Sequence, residues 1–144
     1  MKNRTSVLLI LTAATAIALA ACAVQEPAPA LAGTTWVLQS YGQQDGLQGL
    51  IEGTEVTATF DSEEGQVTGS AGCNSYSGSY ELQDSKLSIG PLASTEMWCE
   101  SPEGVMDQET AYLTALGAAE TAEVQGAELR ISPSGGHVLL FNAQ

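Results

Sequence analysis

The chain has 144 residues, and its 17 acidic side chains against four Lys and Arg and one His give a formal charge of −13. Such a surface repels phosphate backbones and anionic lipid heads, which argues against nucleic-acid binding. No stretch beyond residue 22 is apolar for long enough to span a membrane, and the chain has room for one domain with a modest core.

At the N-terminus, Lys2 and Arg4 make a short positive start, and residues 7–20 (VLLILTAATAIALA) form an apolar stretch of signal-peptide length. It ends in Leu19-Ala20-Ala21-Cys22, the lipobox pattern of bacterial lipoproteins. In such a site the thiol takes a diacylglycerol thioether, the peptide bond before it is cut, and the new amino group is commonly acylated. Residues 1–21 are therefore expected to be a lipoprotein signal peptide and Cys22 the lipidated residue, its two or three acyl chains holding the bilayer durably. The competing readings are a plain signal peptide or a buried N-terminal helix. Residues 22–32 follow as a tether, extended by Pro27 and Pro29. Ala23 stands where an Asp would favour inner-membrane retention in many Gram-negative bacteria. The expected location is the cell envelope, on the periplasmic face of the outer membrane. Losing the signal leaves only Lys86 and Arg130 as cations against 17 acidic residues, a balance of about −15. That balance favours cationic partners or divalent counter-ions, or simply keeps a small exported domain soluble.

Residues 33–144 form the expected domain. Residues 34–41 (TTWVLQSY), rich in β-branched and aromatic side chains, predict the first strand, and the glycine-rich residues 42–53 a loop. Residues 54–61 alternate, with Val56, Ala58 and Phe60 on one face and Glu55, Thr57 and Thr59 on the other. A turn at residues 62–65 makes a hairpin with 66–70. Residues 78–82 and 86–89 predict a second hairpin about Gln83-Asp84-Ser85, with Tyr80, Leu82, Leu87 and Ile89 inward. Ser101 is the expected N-cap of one helix, with Pro102 at its first position. Val105, Met106, Tyr112, Leu113 and Leu116 give that helix an apolar stripe, and Gly117 a stop. Residues 123–125 and 128–132 flank a turn at Gly126-Ala127, and residues 133–136 turn the chain into a last strand, 137–142. The fold class is mostly β (α+β): a curved antiparallel sheet or partly open barrel of about seven or eight short strands, with one packed amphipathic helix.

Cys73 and Cys99 remain after the signal is removed, in a compartment where disulfides persist. Neither belongs to a C-x-x-C motif, and His137 is the only other nitrogen or sulfur ligand on offer, too few for zinc. A disulfide is the best reading, with two separate buried thiols or a labile regulatory bond as the alternatives. It would close a loop of about 25 residues and stabilise by roughly 3–4 kcal/mol. Gly69, Gly72 and Gly78 surround Cys73-Asn74 and permit positive φ or close backbone approach. Residues 72–77 then read either as a recognition loop, with Gly72, Asn74 and Tyr76 as its motif residues, or as a rigid corner aiming Cys73 at Cys99. The corner is the favoured reading.

At these residues the chain resembles the META/HslJ family. The likeness rests on Gly33-Thr34-Thr35-Trp36, on residues 69–80 (GSAGCNSYSGSY), on residues 90–99 (GPLASTEMWC), on the helix segment from Gln108-Glu109 to Leu116, and on Leu140-Phe141. It spans nearly all of residues 33–144. The resemblance implies a β-rich domain with a packed helix and implies that the two motif cysteines pair. It also implies membership of a group of exported, often lipid-anchored proteins linked to envelope stress, heat and drug tolerance, with no established reaction. Trp98 departs from the pattern, standing where the family more usually has a small residue. It either enlarges a local apolar surface or fills the core.

Three functions compete. The favoured one is a non-catalytic envelope module, anchored in the lipid bilayer through Cys22, that binds an envelope protein or a small hydrophobic ligand. No cofactor is expected. An enzyme would need a positioned base, and the single histidine, His137, opens a strand beside a turn. The pairs Glu63/Glu64 and Glu96/Glu100 have the right chemical type for acid–base work but lie in polar loops open to water. A weak divalent-cation module is the third reading. The chain has no EF-hand spacing, so its sites would be non-local.

Overall fold

The structure is a computed structural model and describes residues 30–144. The expected signal peptide, Cys22 and residues 22–29 of the expected tether lie outside the described residues.

Among the described residues, ten strands and one α-helix follow in chain order. They are β1 (Thr35–Gln43), β2 (Gly46–Gly49), β3 (Thr57–Asp61), β4 (Gln66–Ser70), β5 (Ser75–Gln83), β6 (Lys86–Ile89), β7 (Ala93–Ser94), α1 (Val105–Gly117), β8 (Ala119–Gln125), β9 (Glu128–Pro133) and β10 (His137–Ala143). Eight of the strands run antiparallel round a ring in the order β1-β3-β4-β5-β6-β8-β9-β10, and β10 closes on β1 from Trp36↔Ala143 to Gln43↔His137. The mostly-β class with one packed helix is what the structure shows, and the sheet closes fully into a barrel. The narrowest joint is β6–β8, where Lys86 faces Thr121 and Ala122 donates its N–H to the Ser85 carbonyl at 2.9 Å.

Alternation drives the closure. Val56, Ala58 and Phe60 are fully buried, and with Trp36, Val67, Leu129, Ile131, Leu139 and Phe141 they fill the interior. Leu31 and Ala32 join this body. Leu31 is buried and its carbonyl accepts from the Trp36 indole N–H at 2.9 Å, while Gly33 donates to the Phe60 carbonyl at 2.9 Å.

Helix α1 packs against β9 and β10, and its Tyr112 reaches across to Tyr76 on β5, the strand opposite β10 in the ring. Touching both sides, the helix plugs one end of the barrel. Its fully buried Tyr112 and Leu116 carry the stripe, and Tyr112 meets Tyr76 and Phe141 edge-on at 5.7 and 6.4 Å.

Several local expectations need correction. Helix α1 begins at Val105 with Gly104 as N-cap at φ +85°, not with Ser101 and Pro102, whose peptide bond is cis. The Pro102 carbonyl instead accepts from Val105 N–H at 3.2 Å, so a turn precedes the helix and only a glycine suits the reversal. Leu82 shares the inward face with its buried cross-strand partner Leu87 but is 40% exposed. It lies beyond the pairing of β4, whose first residue Gln66 faces Ser79, in a surface depression with Leu31, Ala32 and Tyr80, whereas Leu87 is flanked by β8. The expected loop over residues 42–53 contains β2, an exposed edge strand pairing with the end of β1. Strand β7 is a short pairing without a sequence signal, and β8 starts four residues before the expected 123.

Candidate functional site

The β4–β5 corner is where the motif residues meet. Gly72 takes φ +113°, and Ala71 donates its N–H to the Asn74 carbonyl at 2.7 Å, closing a tight turn. The turn aims two backbone N–H groups at helix α1. Glu109 Oε2 accepts from Cys73 N–H at 3.2 Å and Asn74 N–H at 2.7 Å, and its Oε1 accepts from Asn74 Nδ2 at 2.7 Å. Asn74 and Glu109 are 2% and 5% exposed, so these charge-assisted bonds are sheltered from water.

The rest of the Asn74 amide holds the segment after β7. Asn74 Oδ1 accepts from Thr95 Oγ1 at 2.7 Å and Met97 N–H at 2.8 Å, and Asn74 Nδ2 donates to the Met97 carbonyl at 3.0 Å. Cys73 and Cys99 form a disulfide beside it, their Cα atoms 6.0 Å apart. Residues 95–99 are thereby pinned at both ends. Between the pins, Met97 is 57% and Trp98 75% exposed, and the nearby chain positions Glu96, Glu100 and Glu103 are exposed as well. Trp98 therefore lies at the surface and not in the core.

Below the corner, Tyr76 Oη donates to the Thr57 carbonyl at 2.9 Å and shares a 2.7 Å hydrogen bond with Tyr112 Oη. Desolvation by burial pushes both phenols up in pKa; the bond to Tyr112 partly offsets this at Tyr76, and the neighbouring Tyr76 adds to it at Tyr112. A Cβ at Gly69 would overlap the Thr57 carbonyl, and one at Gly72 would sit 3.4 Å from Gln108 Nε2. Glycine at these points lets β4 and the corner approach β3 and the helix.

Gln108 makes a second tie. Its Oε1 accepts from Ile51 N–H at 2.7 Å and its Nε2 donates to Thr54 Oγ1 at 2.9 Å, fixing the segment before β3 against the helix. Gln108 and Glu109 are buried ties that no motif chemistry marks in the sequence. The signal was present: with Val105, Tyr112 and Leu116 they share one helical stripe, and polar side chains on an apolar stripe must find partners.

The other candidates stay apart. His137 opens β10, exposed, at a cleft of about 450 Å³ shared with Tyr41, Thr114 and Ser134, and no carboxylate lines that cleft. Glu63 and Glu64 lie exposed in the β3–β4 turn, where their N–H groups donate to Asp61 Oδ1 at 2.8 and 3.0 Å. Among the described residues no group of three His, Cys, Asp or Glu is placed to hold a metal ion, and no helix is long and apolar enough to cross a membrane.

A family model, the META domain, matches residues 29–144. The chain is similar to a protein from Burkholderia xenovorans solved by NMR, with 34% identity, a TM-score of 0.67, and coverage of 79% of this chain and 83% of that one. A second NMR structure is similar at 20% identity and a TM-score of 0.56, covering 76% and 87% of the two chains. A crystal structure of a DUF4847 family protein from Bacteroides vulgatus is similar at 17% identity and a TM-score of 0.53, covering 78% and 93%. The last two likenesses show the fold alone. No curated protein matches.

Proposed function

The chain belongs to the META domain family, and from that premise we propose that it is an exported, lipid-anchored and non-catalytic envelope module that binds a partner through Met97 and Trp98. The observation that carries this reading is a large aromatic side chain left 75% exposed on a segment that is otherwise tied down. Tryptophan is enriched among the few residues that carry most of an interface's binding energy. A pre-ordered loop also loses little entropy when it binds. In this reading Gly72, Asn74 and Tyr76 position the recognition residue, while Trp98 makes the contact. Cys22 supplies the anchor, and the chain between Cys22 and Leu31, about nine residues, can span at most about 30 Å. The point where the domain begins is therefore held within about that distance of a bilayer. Two features of the proposal speak against catalysis: His137 faces a cleft without a carboxylate, and the buried polar groups of the corner are all engaged with one another.

A photo-crosslinking amino acid at position 98 of the full chain, expressed in its native envelope, tests the reading. A discrete adduct of constant mass, absent when the crosslinker is moved to the exposed Glu63, is the expected result. Equal, diffuse labelling from both positions would overturn it.

A further inference from the structure

We propose that the segment seated on Met97 and Trp98 is a cationic, amphipathic peptide stretch of a partner protein; this rests on reading that loop as the binding surface. The apolar seat is two exposed side chains with carboxylates on either side of it in sequence. Glu96 and Glu100 lie within two residues of Trp98 on either side and Glu103 follows before the helix, and all three are exposed. Aromatic centre and acidic rim together define the complement: apolar side chains to cover Met97 and the indole, and Lys or Arg to reach the carboxylates and the ring face. The domain does not supply that cation itself. Beyond the expected signal its cations are Lys86 on β6 and Arg130 on β9.

The same charges disfavour the other occupants. An anionic bilayer surface would meet three carboxylates at the point of insertion, and a second copy would bring the same acidic rim and a like net charge of about −15. Complementary charge here sets specificity and encounter rate, while the buried indole sets residence.

The test uses the mature lipoprotein in zwitterionic nanodiscs and three amphipathic peptides of equal length, built from Lys/Leu, Gln/Leu and Glu/Leu, with empty discs as background. Binding is read on the Trp98 indole N–H resonance. The Trp36 indole, held by the Leu31 carbonyl, reports in each variant that the fold is intact. The Lys/Leu peptide is expected to bind about tenfold or more tighter than Gln/Leu, with affinity falling as salt rises and Glu/Leu not binding. Trp98→Ala, with binding read by calorimetry because the reporter indole is gone, should abolish binding, and the triple change Glu96→Gln, Glu100→Gln, Glu103→Gln should weaken Lys/Leu by about tenfold while reducing its salt dependence. Equal binding of Lys/Leu and Gln/Leu at Trp98 overturns the cationic assignment and leaves the loop as a binding surface. A Trp98 resonance that differs, without peptide, between the disc-anchored protein and its unlipidated Cys22→Ala form assigns the residue to the bilayer, and one that shifts with protein concentration assigns it to self-association; either overturns the inference. No response of Trp98 to any peptide, with no adduct from position 98 in the envelope, overturns the inference and the function it rests on together.

Discussion

Asn74 uses every polar atom it has. Its side-chain amide donates twice and accepts twice, its backbone N–H goes to Glu109, and its carbonyl takes the Ala71 N–H. An aspartate has the same shape but no donor, and would set two carboxyls face to face in a buried site. Asn74→Asp is expected to destabilise by about 3 kcal/mol, and Glu109→Gln, which points an amide at donors, by about 2 kcal/mol, both measured by urea unfolding. A loss under 0.5 kcal/mol in either variant would show that the corner is not held this way. The Tyr76–Tyr112 pair makes a second residue-scale prediction. In the unfolded chain both phenols ionise near pH 10, while in the folded protein burial keeps them protonated to higher pH. Their contribution is intact below pH 10 and is lost as pH rises through the folded values, at up to about 1.4 kcal/mol per pH unit for each. Tyr112→Phe should cost about 1 kcal/mol at neutral pH and flatten the alkaline slope by up to about half. An unchanged slope between about pH 9 and pH 12 would contradict the assignment.

At the scale of elements, the corner, the 95–99 segment and helix α1 behave as one clasp. The disulfide joins the first two across a sequence separation of 26, Asn74 ties them a second time, and Glu109 joins the corner to the third. Replacing both cysteines, Cys73→Ser with Cys99→Ser, should lower stability by about 3.5 kcal/mol. The Asn74 bonds to Met97 remain in that variant, so a native barrel with a looser Trp98, seen as faster local indole motion, is the specific expectation. Unchanged indole motion would mean that the hydrogen bonds suffice alone. The hairpins β3–β4 and β5–β6 were legible in the sequence because alternation and turn chemistry are local. Strands β2 and β7 were not, because they are exposed and short, exist only as pairings with β1 and β5, and have no buried face to leave a periodic trace. The helix start was misplaced for a similar reason. Ser101-Pro102 has the chemistry of a cap, but the chain leaving Cys99 has to reverse first, and Gly104 makes that reversal.

For the whole molecule, closing β10 on β1 leaves no free long edge in the ring and places the proposed binding loop outside the barrel, next to the helix that plugs it. The anchor is the remaining whole-molecule claim. Mass spectrometry of the native product is expected to show fatty acids on Cys22 as its first residue. Cys22→Ala should release the protein from the membrane fraction while leaving the Cys73–Cys99 disulfide and the fold unchanged. An unprocessed, unacylated chain recovered from cytosol would refute it. The sequence by itself determined the mostly-β class, the Val56-Ala58-Phe60 face and the single helical stripe, because each depends on periodicity along one segment. Its motifs also marked Cys73, Asn74 and Cys99 as belonging together. Only the tertiary structure decided that the sheet closes, that Glu109 and Gln108 are buried partners of distant loops, and that Trp98 faces water. Those outcomes depend on which surfaces meet after the chain has come round on itself, and residues 23 to 57 positions apart carry no local sign of that meeting.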